Sequence, residues 1–540
     1  MVCAVAIAAV AALSGCRSRQ ASHVLFVRDG IVVTNCASRP QMLTPAPIRP
    51  GPEPSPLPGD AWFFPFPWKP GQLLSVQGTT VMTPQRPEAY AVARVDLERV
   101  RPGTVTGGGE PDACLAFDDA GRLLAVGSFG GYLRVYSVPE ARLLWQRRFP
   151  EAMVKRVAFS PDGTRLYAGE QSPDGLVYGL AADSGRELWR LRLADDLLTS
   201  RPARPDDYFA IYQYPAAYGI RVDNGDMVYI GGFHSWRENA EPRHLSRLYA
   251  IDGATGRRKW VFPSDGPMPR NVNCFDVTRN GRFVALAAYQ SEPPGKGDPY
   301  LQAGLYVLAG ETGALLHRFE LKPIAPFFQS VPIWHALSLG PDDTSPDAGP
   351  RGILGSMDGR LFRLADSQVT EVNLAAPVEV SGIPIHAGVG WSAASARHLF
   401  ALTDGSLIAP SALGKGQSVQ ARHPGTDTLS CYDMTEGLEW QYQLVNTAQG
   451  VVASRDAEVV AVTTQQAFTV ADPNDYGLTL LDVTGDQVGA GRVIFRYQTP
   501  GPIVASAISP DGRWLAVVEF PVVLADGLTT VGRYRVHLIH

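Results

Sequence analysis

The stretch Leu248-Tyr-Ala-Ile-Asp252-Gly-Ala-Thr255-Gly256-Arg-Arg-Lys-Trp260-Val-Phe262 decides the reading of this chain. It is an apolar strand, a tight turn and a second strand carrying one large aromatic plate. Asp252 can accept backbone N–H groups within the turn, and Gly256 can take the left-handed conformation that closes it. Trp260 offers a broad ring for packing against a neighbouring unit. The pattern recurs as Ala181-Ala-Asp183-Ser-Gly185-Arg-Glu-Leu-Trp189, Ala309-Gly-Glu-Thr312-Gly313-Ala-Leu-Leu-His317 and Asp433-Met-Thr-Glu-Gly437-Leu-Glu-Trp440. Trp145 and Phe495 hold the corresponding place in two further copies. His317 stands where other copies carry tryptophan, so it reads as a packing residue and not as a catalytic one.

A second pattern alternates with the first. It reads Leu115-Ala-Phe-Asp-Asp-Ala-Gly121-Arg-Leu-Leu-Ala-Val and Val157-Ala-Phe-Ser-Pro-Asp162-Gly163-Thr-Arg-Leu-Tyr-Ala. It returns as Phe275-Asp-Val-Thr-Arg-Asn-Gly281-Arg-Phe-Val-Ala-Leu and Ala507-Ile-Ser-Pro-Asp511-Gly512-Arg-Trp-Leu-Ala-Val. In Ser-Pro-Asp-Gly, proline presets φ, aspartate caps the turn and glycine accepts positive φ. Alternating apolar strands on both sides make each copy a hairpin. Self-similarity at roughly 40 to 60 residues marks a repeat architecture. Together the motifs resemble the WD-type propeller hairpin and the tryptophan-docking motif of the pyrroloquinoline-quinone-like (quinoprotein-like) β-propellers, over roughly residues 90 to 540. The resemblance implies an all-β, eight-bladed β-propeller, with seven blades as the alternative. The expected blades are 113–150, 154–192, 207–262, 273–320, 331–374, 380–444 and 448–498. The eighth holds Ile503–Ser509, Arg513–Glu519 and Arg533–Ile539, closed by an outer strand from around Tyr90 to Val100, so that both chain ends complete one blade.

Composition agrees with a strand-and-turn protein. The 540 residues include 54 Gly and 44 Pro, with 45% hydrophobic and 19% charged residues. So much Gly and Pro suits many tight turns better than long helices. A net charge of −5 gives no basic field and argues against nucleic-acid binding. Val2 to Leu13 is an apolar run too short to span a membrane, and it precedes Leu13-Ser14-Gly15-Cys16. This tetrapeptide resembles the bacterial lipobox, which implies lipidation at Cys16, although no Lys or Arg precedes the apolar core. The chain thus divides into a signal peptide at 1–15, a tether and Pro/aromatic-rich extension at 16–88, and a propeller at 89–540. Val24 to Thr34 reads as a small hairpin, and Trp62-Phe-Phe-Pro-Phe-Pro-Trp-Lys-Pro70 as an extended aromatic segment that packs on the propeller or docks a partner. Cys36, Cys114, Cys274 and Cys431 are scattered without a C-x-x-C. They suit buried thiols in strands, with one or two disulfides as the alternative in an oxidising compartment.

In a four-stranded blade, the first and third turns share one face and the second turns lie on the other. Both repeat turns belong to the first face. The longer insertions fall in second turns: 233–246, 290–304, 413–428, 465–477 and 520–532. That loop-rich face is the expected binding face. Its most loaded loop, Phe233-His-Ser-Trp-Arg-Glu-Asn-Ala-Glu-Pro-Arg-His244, gathers His234, Trp236, Arg237, Glu238 and His244, for which a metal or anion site competes with a plain solvated loop. Asp472-Pro-Asn474-Asp475-Tyr-Gly477 begins like a calcium loop but has Val483 where the twelfth ligand belongs. No metal site and no catalytic residue is assigned, because H-E-x-x-H, G-x-S-x-G and the P-loop pattern are missing. Adjacent cysteines, characteristic of quinoprotein dehydrogenases, are missing too. The plan is similar to that of the propeller lipoprotein of the outer-membrane barrel-assembly machine. It implies a non-catalytic, membrane-anchored scaffold in the bacterial cell envelope, favouring the outer membrane, that binds another envelope protein through the loop-rich face. A divergent quinoprotein oxidoreductase or electron-transfer accessory using pyrroloquinoline quinone and calcium is one alternative. A small-molecule or polysaccharide binder is another.

Overall fold

The computed structural model describes residues 113–540 apart from short stretches, the longest being 199–212, 409–422, 466–475 and 484–491. It also describes five strands between His23 and Met82. Residues 1–15, Cys16, Cys36, the aromatic segment 62–70 and the expected strand 90–100 lie outside the described residues.

Antiparallel strands recur in sets. Ala113–Phe117, Leu123–Ser128, Tyr132–Ser137 and Arg142–Arg148 pair in chain order. Equivalent sets run from Met153–Phe159 to Glu187–Arg192, from Ala216–Val222 to Arg258–Phe262 and from Asn271–Val277 to Leu315–Glu320. They continue from Leu337–Leu339 to Gln368–Asn373, from Ile383–Ala394 to Gly437–Gln443 and from Thr447–Ala453 to Arg492–Gln498. Ile503–Ile508, Leu515–Glu519 and Arg535–Ile539 form the last. A single bridge from Gln171 to Ala216 joins the Met153 and Ala216 sets into one eight-stranded sheet. The sets fall on the segments expected from the repeats.

The middle strands are apolar on both faces because each sheet is sandwiched between two others. In Phe283–Tyr289, Val284, Leu286 and Ala288 join one core shared with the Ala216 sheet, and Ala285, Ala287 and Tyr289 join another shared with the Leu337 sheet. A two-residue period thus feeds two neighbouring cores. The cores link every consecutive pair of sheets, and one of them joins Phe117, Leu124 and Val126 to Ala516, Val518 and Leu538. The last sheet therefore packs on the first, and the sheets close into a β-propeller ring.

The closing sheet departs from expectation. The strand flanking Arg535–Ile539 is Ile31–Asn35, paired in parallel from Ile31 with Val536 to Thr34 with Ile539. Ile31–Asn35 is itself one arm of the expected hairpin with His23–Arg28. The N-terminal side still supplies the flanking strand, but from the apolar hairpin at 23–35 and not from around Tyr90 to Val100.

The repeat turns behave as their residues dictate. Asp162 Oδ1 accepts the Ser160 hydroxyl at 2.6 Å and the Thr164 N–H at 2.9 Å, and Gly163 sits at φ 70°. Asp511 Oδ1 accepts Ser509 Oγ at 2.6 Å and the Arg513 N–H at 3.1 Å, with Gly512 at φ 71°. Cys114, Cys274 and Cys431 are buried free thiols. Among the described residues, no helix is long and apolar enough to cross a membrane.

Candidate functional site

The tryptophan motif is a joint between sheets. Trp189 donates Nε1–H to the Gly253 carbonyl at 2.8 Å, and Trp260 does the same to Gly310 at 2.8 Å. Trp145 reaches Ala182 O at 2.8 Å. Each ring lies over the turn glycine of the following sheet. A Cβ on Gly256 would stand 2.5 Å from the Trp189 ring, and one on Gly185 would stand 2.7 Å from Trp145. Gly256 and Gly185 also have φ of 71° and 68°. Asp252 Oδ1 accepts the Thr255 N–H at 3.0 Å, and Gly185 N–H bonds Ala181 O at 2.8 Å in the turn where Asp183 stands exposed. His317, at the equivalent position, is half-buried and stacks at 5.9 Å on Phe319 of its own strand.

First turns and third turns share a face, since Gly253 N–H bonds Asp226 O. On that face, Arg279 reaches Asp456 at 2.8 Å, Asp456 is held by Arg455 at 3.1 Å, and Arg455 reaches Asp119 at 2.7 Å. These residues belong to the Asn271, Thr447 and Ala113 sheets, which are not neighbours. The ion pairs therefore span the central opening on the face of plain turns.

The opposite face carries the insertions, and here the loop expected at 233–246 is corrected. Met227–Glu238 and Glu241–Asp252 are strands of one long hairpin, in register from Met227 with Asp252 to Glu238 with Glu241. Beyond Phe233 and Ser246 they pair, among the described residues, only with each other. That arm of about five residues per strand extends roughly 17 Å. Ile383–Ala394 and His398–Ile408, whose connecting turn lies on the plain face, also run on towards this face at their open ends, paired as far as Ile385 with Ile408 and flanked there by Val378–Val380.

The arm also separates the residues that the sequence placed together. Strand alternation puts His234 and Trp236 on one face of the ribbon, where their rings stack at 4.6 Å. His244 lies on the other face, against Phe233 at 5.8 Å. His234 is buried with Nδ1 at 2.6 Å from Leu197 O and Nε2 at 3.0 Å from Gln213 O. Burial holds the pKa of both histidines below the usual value. The ring thus sits between two carbonyls of the chain that joins the Met153 and Ala216 sheets, donating in its neutral form to one of them, and it anchors the base of the arm there. The backbones of Arg237 and Glu238 lie in the arm near its tip, while their side chains fall outside the described residues. Residues 472–475 of the calcium-like segment also lie outside them.

A cluster that no motif announced lies in the Ile383 sheet. His398 begins its second strand, Cys431 lies in the third and Glu439 in the fourth. His398 Nε2 is 3.2 Å from Glu439 Oε2, and Cys431 Sγ is 3.9 Å from the same oxygen. His398 Nδ1 meets Glu458 Oε2 at 2.7 Å, and that oxygen also takes the Ser395 hydroxyl at 2.7 Å. Burial pushes the Cys431 thiol up, and the Glu439 and Glu458 carboxylates add to the effect. Positions 398, 431 and 439 have no metal-motif spacing, so only their cross-strand register brings them together.

Residues 130–279 match the family model described as outer membrane protein assembly factor BamB, and that segment is a BamB-like propeller segment with quinone-type repeats. No curated protein matches the chain. Among solved structures, the chain is similar to BamB from Moraxella catarrhalis, at 14% identity and a TM-score of 0.43, covering 78% of this chain and 96% of that one. It is also similar to the quinohemoprotein alcohol dehydrogenase of Comamonas testosteroni, at 14% identity and a TM-score of 0.48, covering 79% and 74%. A third is Sqt1 of Saccharomyces cerevisiae, at 9% identity and a TM-score of 0.47, covering 80% and 97%.

Proposed function

We propose that this chain is a lipid-anchored scaffold that binds another protein of the bacterial envelope and carries out no chemistry itself. The projecting arm built from Met227–Glu238 and Glu241–Asp252 carries this reading. A ribbon anchored at its base by His234, whose outer residues pair among the described residues only with each other, offers backbone edges to a partner, a recurrent mode of protein recognition. The open ends of Ile383–Ala394 and His398–Ile408, with Val378–Val380 beside them, add further strand edges on the same face. The ring that holds them has eight blades in this reading, supported by eight hydrophobic cores each shared by consecutive sheets. Residues 1–15 are the signal peptide, Cys16 carries the lipid, and 89–540 form the body of the ring, to which Ile31–Asn35 within the 16–88 tether adds its flanking strand. The description attached to residues 130–279 supports an outer-membrane location.

The test is affinity capture of the tagged, full-length protein from cross-linked envelopes, beside a variant whose Ser235–His244 segment is replaced by an Asn-Gly turn. Recovery of a defined envelope protein that drops at least tenfold with the shortened arm is expected. Equal recovery by both proteins, or no specific partner with either, would overturn the proposal.

A further inference from the structure

We propose that His398 Nε2, Cys431 Sγ and Glu439 Oε2 form a three-ligand site for a divalent cation of the zinc class, with a fourth position open to solvent. The three donor atoms lie within 4.8 Å of one another. The two closest pairs, at 3.2 and 3.9 Å, bracket the roughly 3.3 to 3.6 Å between donors that tetrahedral zinc requires with bonds of about 2.0 to 2.3 Å. One imidazole nitrogen, one thiolate and one carboxylate are the donor types that zinc takes in sites that keep an exchangeable position.

The surroundings fix the ligands. Glu458 on His398 Nδ1 places the ring proton there and leaves the Nε2 lone pair for a metal, the carboxylate–histidine arrangement common around bound zinc. The Glu458 side chain is 9% exposed, and its second oxygen, Oε1, is buried without a hydrogen-bond partner. Such a carboxylate is costly in a purely structural cluster and is stabilised when a cation sits nearby. Glu439 occupies a β-bulge: Cys431 pairs with Trp440 and Tyr432 with Leu438, leaving Glu439 unpaired in the ladder. The same bulge recurs at this point in the Ala113, Met153, Ala216, Asn271 and Thr447 sheets, so the repeat supplies the geometry and only the residue type is particular to Glu439.

The repeats supply an internal control. The same three positions are Leu123, Val135 and Leu144 in the Ala113 sheet. In the Asn271 sheet they are Phe283, Val307 and Leu316. The Met153 sheet has Arg165, Gly179 and Leu188 there, and the Ala216 sheet has Met227, Ala250 and Lys259, so none of these four sheets carries a metal-ligating type at any of the three positions. The Ile383 sheet replaces all three with metal-ligating types, and Glu439, 35% exposed, leaves an approach from solvent.

On binding, the Cys431 S–H bond breaks, its proton leaves to solvent and a sulfur–metal bond forms. Nε2 sheds any proton it shares with Glu439 and donates its lone pair, while Nδ1–H stays on Glu458. No electron changes hands. The test uses the intact chain, stripped with a chelator and titrated with Co²⁺ alone. One equivalent should raise a thiolate-to-cobalt charge-transfer band that Zn²⁺ abolishes. Cys431→Ser should lose the band, and Glu439→Gln, at a partly exposed position, should weaken binding at least tenfold. Glu458→Gln, which only repositions His398, should weaken it about 10- to 100-fold. Cys274→Ser, buried elsewhere, should match the parent. No charge-transfer band in the parent, or binding unchanged in both Cys431→Ser and Glu439→Gln, would overturn the site.

Discussion

Glu170 shows what burying one carboxyl does to this protein. It is 4% exposed and accepts hydrogens from the Ser172 hydroxyl at 2.7 Å and the Tyr178 hydroxyl at 3.4 Å. Burial pushes its pKa up to about 7 from the usual 4.5, outweighing those bonds. The folded protein therefore keeps a proton that the unfolded chain gives up. The stabilising share of Glu170 is complete below about pH 4.5 and is lost as pH rises through about 7. Glu170→Gln should remove this dependence and be more stable than the parent by up to roughly 3 kcal/mol above about pH 8. Denaturant unfolding of both proteins across that range checks it, and parallel pH profiles would refute it. Other residues were legible from sequence to different degrees. Asp162, Asp252 and Asp511 act within their own turns, so local chemistry predicts them. His234 could not be read that way, because its two partners, Leu197 and Gln213, come from chain well before it.

Between elements, the tryptophan joint is the part of the ring most exposed to substitution. Gly256 must accept φ 71° and also leave room for the Trp189 ring. Gly256→Ala should cost about 2 to 4 kcal/mol, the sum of left-handed strain and overpacking. Adding Trp189→Ala should cost less than the two single losses combined, because removing the ring frees the space that the new methyl needs. A double-mutant cycle by chemical denaturation measures this, and strict additivity would deny the contact. The arm illustrates the opposite case at the same scale. Its charged residues and Pro242 read as a loop, since proline and charge are rare inside sheets. The strand survives because, among the described residues, Pro242 pairs only with Arg237 across the ribbon and lies beyond the four-stranded body.

For the whole molecule, ring closure decides stability, and the parallel strand Ile31–Asn35 flanks the closing sheet. Val33→Pro would remove a backbone donor opposite Leu538 and should destabilise the protein by about 1 to 2 kcal/mol. Thermal unfolding of the full chain tests this, and an unchanged midpoint would mean the strand adds nothing to the ring. The ion pairs Arg279–Asp456 and Arg455–Asp119 across the mouth are partly exposed and each adds little by comparison. By itself the sequence determined the repeated hairpins, their turns and their tryptophans, because turn chemistry and strand alternation act over a few residues. Only the tertiary structure decided which chain segment flanks the last sheet, that the 233–246 insertion stands as a ribbon, and that His398, Cys431 and Glu439 converge. Each of these depends on register between strands distant in sequence, and a one-residue slip there would turn every side chain to the opposite face.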